Sequence, residues 1–150
     1  MEIHELDPGV AQEISDSIAA VSASAREWYG KPLNGTVADL DLLQRMLSEG
    51  RIRVDDKRGL WNLGLVLGSV LSRSQGWDWA LCEEDGIFDP VLVVSGSTKG
   101  GEAGLLFPMT MISHRVEDGG SVDVRVLYEA TITQMREGGA RRKRFGGLLG

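Results

Sequence analysis

Residues Arg58 to Trp79 read RGLWNLGLVLGSVLSRSQGWDW, and between Leu60 and Leu71 only Asn62 and Ser69 are polar. A helix over this stretch has no wet face of its own, so it belongs at the centre of the fold with other elements packed around it. Gly64 and Gly68 lie four apart and therefore share one side of that helix, although each costs about 1 kcal/mol relative to Ala in a helix interior. The compensation expected is close approach by a neighbouring backbone. Gly76 stops the helix, and the period then changes to two: Trp77, Trp79 and Leu81 alternate with Asp78, Ala80 and Cys82, as in a strand.

On the N-terminal side, Asp7-Pro8 is a helix start, with Asp capping free amides and Pro giving up an amide that has no partner there. Val10, Ile14, Ile18, Val21, Ala25 and Trp28 recur at helical spacing, which predicts a first helix to Tyr29. Thr36, with Asp39 as a capping-box partner, opens a second helix whose buried stripe is Leu40, Leu43 and Leu47. Residues 51–57 form a charged connector with Ile52 and Val54 pointing the same way, and Asp55 or Asp56 caps the central helix.

On the C-terminal side, Glu83-Glu84-Asp85-Gly86 reads as an acidic turn, and Val91 to Ser95 as an apolar strand begun by Pro90. Leu105 to Phe107 makes a third short strand and Pro108 opens a helical segment to Val116. Ser121 caps a last helix lined by Val124, Leu127, Tyr128, Thr131 and Met135, ended by Gly138-Gly139. The fold expected is α+β: helices packed on a small antiparallel sheet of about three strands, with a buried central helix and a C-terminal helix. Residues 1–139 make one domain and 140–150 a basic, Gly-rich tail.

Trp61-x-x-Gly64-x-x-x-Gly68, then Gly76-Trp77-x-Trp79, Phe107-Pro108, Met111-Ile112 with Arg115, and Val122-Asp123 before Leu127-Tyr128 together make a pattern. It resembles the bacterial family called domain of unknown function 3806, over roughly residues 57–137, leaving the first two helices outside. The resemblance implies a small soluble bacterial protein with no established activity, and it brings no catalytic residue. Toxin immunity proteins, commonly small, acidic and non-enzymatic, are an analogy at the level of class.

The chain of 150 residues carries 16 basic and 22 acidic side chains, for a net charge of −6. Arg141, Arg142, Lys143 and Arg144 hold four of the 16, leaving 12 against 22, so the remainder stands at −10. Such a field repels nucleic acid and attracts basic partners. One cysteine, no basic leader at the N-terminus and an apolar run well short of the roughly 20 residues that cross a bilayer point to a cytoplasmic protein without membrane attachment.

Chemistry-bearing constellations are sparse. His4 and His114 stand in separate elements, so no metal signature is visible and no cofactor is expected. Cys82, beside acids, has its thiol pKa raised rather than lowered, which argues against a nucleophile paired with His114. Gly96 to Gly101 lacks the Gly-Lys-Ser/Thr order of a phosphate loop. Trp77 and Trp79 could stack a base or sugar, but their face continues into Leu81 and reads as core. The carboxylates Glu83, Glu84, Asp85 and Asp89, with Asp55 and Asp56 second, are the candidate partner-binding residues. The function expected is non-enzymatic binding of a basic protein, with immunity to a cationic bacterial toxin as the candidate role. A small enzyme using the carboxylates around Glu83 to Asp89 and a general scaffold or stress protein are the alternatives.

Overall fold

The computed structural model describes residues 1–94 and 104–137. The elements in chain order are β1 (Glu2–Glu5), α1 (Pro8–Tyr29), α2 (Ala38–Ser48), α3 (Lys57–Gln75), β2 (Asp78–Glu84), β3 (Ile87–Val94), β4 (Gly104–Leu106), α4 (Pro108–Glu117) and α5 (Val124–Arg136). The strands form one antiparallel sheet in the order β1-β2-β3-β4, so among the described residues the sheet has four strands rather than about three. The added strand is Glu2–Glu5, every residue of which is exposed. Its pairing with β2 defines it, because its own sequence has no buried face.

Helix α3 is the axis of the molecule. Leu60, Leu63, Leu65, Val66, Leu67, Val70 and Leu71 are all buried, as are Gly64 and Gly68. The glycines admit what lies across from them. A Cβ on Gly64 would meet the backbone of Pro108 and Met109, with the Met109 carbonyl oxygen only 2.6 Å away, and a Cβ on Gly68 would lie 2.7 Å from Cη2 of Trp79. Helix α4 and strand β2 thus press on one side of α3 at a distance no side chain there would permit. Trp77 joins the main core, with Trp79 packed against it. The opposite sheet face carries a smaller cluster of Ala80, Cys82 and Val91, with Val93 and Leu105 against it.

Caps follow the sequence at α1, where Asp7 accepts from the Gly9 and Val10 amides, and at α3, where Asp56 accepts from Gly59. Elsewhere they differ. Helix α2 starts after Val37, whose side chain offers no cap, while the Thr36 hydroxyl accepts from the first helical amide, Ala38, at 3.3 Å. Asp39 turns back into the preceding loop to accept from the Asn34 and Gly35 amides at 2.9 and 2.8 Å. Asp123, not Ser121, caps α5 through Val126. Gln44 clamps α2 to the start of α5, donating to the Val122 carbonyl and accepting from the Val124 amide. Nearby, Arg125 grips Asp41 through two 3.0 Å hydrogen bonds, which hold the Asp41 carboxyl below the usual carboxylate range.

Two smaller expectations are corrected. Ile52 and Val54 do not point the same way: Ile52 packs on the core, whereas Val54 is 74% exposed. Pro90 lies inside β3 opposite Leu81 instead of at its start. It is tolerated there because β4 flanks only Leu92 to Val94, so at Pro90 the far side of β3 has no ladder that needs its missing amide. The Gly96–Gly101 loop, the helix stop at Gly138-Gly139 and the Arg141–Arg144 cluster lie outside the described residues.

Candidate functional site

The acidic segment is not a four-residue turn. Strand β2 continues through Glu84 and β3 begins at Ile87, so only Asp85 and Gly86 turn the chain, with φ of 53° and 77°. Positive φ at both central residues is the two-residue hairpin geometry whose twist matches that of the strands, and Asp and Gly are among the residues that enter it most readily. Pairing runs Cys82 with Asp89, Glu83 with Phe88 and Glu84 with Ile87.

Because side chains alternate along a strand, this register separates the candidate carboxylates. Glu84 and Asp89 share a face with Cys82. Glu83 points to the other face with Phe88, and Asp85 sits at the tip. Cys82 is buried, and its thiol is pushed up by that burial first, then by the negative charges of Glu84 and Asp89. At the tip two large apolar side chains stand in solvent: Ile87 is 64% and Phe88 54% exposed. Neither is marked by the sequence, where both fall between the acidic segment and the strand expected from Pro90 onward.

A groove of 530 Å³ runs from the hairpin between α1 and α3. Glu13 and Asp16 of α1 face Arg58 and Trp61 of α3 across it, and Phe88 and Asp89 close its hairpin end. Asp55 and Asp56 are engaged elsewhere: Asp55 pairs with Arg53 at 3.2 Å and Asp56 caps α3.

The structure also removes the isolation of His4. Its Nε2 lies 2.9 Å from Oε1 of Glu83 and 3.4 Å from Oε2 of Glu2, so two strands far apart in sequence bring an imidazole and two carboxylates together. Glu2-x-His4 has the spacing that puts two residues on one strand face, but nothing in so short and charged a segment announces a strand. Among the described residues, no helix is long and apolar enough to cross a membrane.

A profile of the family described as Domain of unknown function (DUF3806) matches residues 39–128. The match takes in α2, which the resemblance seen in the sequence had left out, and ends within α5. A crystal structure of a protein from Bacteroides thetaiotaomicron VPI-5482 is similar, with a TM-score of 0.75 at 19% identity over 87% of this chain. The likeness covers 47% of that protein's chain, so this chain spans about half its length, and at that identity what is shared is the fold. No curated protein matches the chain.

Proposed function

The chain belongs to the DUF3806 family of domains of unknown function, and from that premise we propose that it is a binding module for a basic protein partner, acting without catalysis. The supporting observation is Phe88, exposed on the same hairpin face as Glu83, with Ile87 exposed on the other face beside Glu84 and Asp89. Aromatic and aliphatic anchors inside a polar rim are the composition of an interface centre, where a few buried side chains supply most of the affinity. The carboxylates have a different role. They raise the encounter rate of a positively charged surface and fix its orientation.

Phe88 and Asp89 also border the groove, which extends the surface toward Glu13, Asp16 and Trp61. A lysine or arginine of the partner entering there would meet two carboxylates and an indole, in competition with Arg58, which lines the same groove. Neutralisation of a cationic bacterial toxin is the biological role that fits this chemistry best, because toxins acting on nucleic acid need basic clefts that an acidic anchor can fill.

Affinity capture from the native cell with the intact chain tests the reading. A basic protein should be retained, its association rate should fall steeply with salt and with lysine at Glu83, Glu84 and Asp85, and Phe88→Ala should speed its dissociation. Capture of no basic partner, or a captured partner indifferent to both changes, would overturn the proposal.

A further inference from the structure

We propose that Glu2, His4 and Glu83 form a site for a divalent transition-metal ion, zinc being the best fit, that clips β1 to β2. Glu2 and His4 stand two apart in β1 and so project from one face, and Glu2 is directly opposite Glu83 in the ladder. One donor atom from each of the three side chains lies within 4.8 Å of the others. Ligand bonds of about 2.1 Å in a tetrahedral arrangement put neighbouring donors about 3.4 Å apart. The His4 Nε2 stands 3.4 Å from the Glu2 carboxylate and 2.9 Å from that of Glu83. The two separations from the imidazole are thus close to those of a coordination sphere, the third pair of donors lies within 4.8 Å, and rotations of the side chains would complete the sphere.

The charges favour the same occupant. Like charges directly opposite on neighbouring strands repel, and Glu2 and Glu83 are such a pair. A divalent ion between them converts that repulsion into two attractive contacts while accepting the imidazole as its third ligand. One nitrogen with two carboxylates suits zinc, and manganese or iron less closely, whereas calcium and magnesium seek oxygen alone. Three protein ligands leave a fourth position for water. The Phe88 ring, its centroid 6.1 Å from that of His4, flanks the imidazole. A histidine bridging two glutamates is otherwise an ordinary surface ion pair, and zinc uptake separates the two.

Zinc chloride titrated calorimetrically into the full chain at neutral pH is the test, and it requires no protein partner. One zinc per chain is expected. His4→Gln and Glu83→Gln should each weaken binding by tenfold or more, the scale seen when even outer partners of a metal site are lost, while His114→Gln leaves it unchanged. Zinc should also slow amide exchange at Ile3 and Glu5 in the parent chain and not in His4→Gln. All three variants can be checked for an intact fold by circular dichroism. No uptake at free zinc up to about 1 mM, unchanged affinity in His4→Gln and Glu83→Gln, or equal loss in His114→Gln would each overturn the assignment.

Discussion

Gly64→Ala sets two known magnitudes against each other. Helix propensity alone favours Ala over Gly by about 1 kcal/mol, so on a free helix face the substitution stabilises. In this structure the new methyl would lie 2.6 Å from the Met109 carbonyl oxygen and 2.9 Å from its carbon, with the Pro108 carbonyl closer still. Carbon contacts relax at about 3.5–4.0 Å, so the backbone of α4 must retreat by about 1 Å. That backbone is held by Pro108 against Gly68 and by its junction with β4. Overpacking of this kind costs about 1–3 kcal/mol, and rigid main chain puts it at the upper end. The net expectation is a loss of about 1–2 kcal/mol, or about 2–8 °C in Tm for a chain of this size. Gly64→Leu should cost several kcal/mol. Urea unfolding followed by circular dichroism, with an unchanged m-value, measures it. A Gly64→Ala variant as stable as the parent or more so would mean that α4 does not press on α3, and the account of the glycine pair would fail.

Asp39→Ala should cost about 2–3 kcal/mol, measured in the same way, because Asp39 is only 3% exposed and its loss leaves the Asn34 and Gly35 amides without their charged acceptor. Asp39→Asn, which can still accept one of these bonds, should cost less. Cys82 should resist iodoacetamide in the native chain at pH values near 8.5, where an ordinary cysteine is half thiolate, and react once the chain is unfolded. Its folded pKa is raised, chiefly by burial, so its contribution to stability is complete below the unfolded value and is lost as pH rises through the folded one. Alkaline unfolding that is unaffected by Cys82→Ala would contradict this.

The helices were legible because each advertises itself locally. The apolar run from Leu60 to Leu71, the three- and four-residue steps of α1 and the stripe of α5 are statements about neighbours within a dozen residues, and burial follows them closely. Strand β1 carries no such statement. Glu2–Glu5 is exposed throughout and exists as a strand only because β2 offers it a ladder some 80 residues later in the chain. Pro90 misled for a related reason. Whether a strand tolerates proline depends on whether a neighbour needs that amide, and the length of β4 decides this. Asp39 had the spacing of a capping-box partner, yet the two amides of the Asn34-Gly35 turn compete for the same carboxylate and satisfy it better.

The same logic governs the candidate site. That the segment from Glu83 to Asp89 is acidic could be read directly, but a run of carboxylates becomes one surface or two according to where the turn falls. Moving the turn from four residues to the two of Asp85-Gly86 extends both strands and sends Glu83 to one face, Glu84 and Asp89 to the other. It also places the exposed Ile87 and Phe88 in the paired start of β3, and sets Glu83 against Glu2 and His4. Turn position thus determines both the apolar anchor of the proposed interface and the three donors of the proposed metal site. Lengthening the Asp85-Gly86 turn would therefore perturb the two together while leaving the α3 core in place.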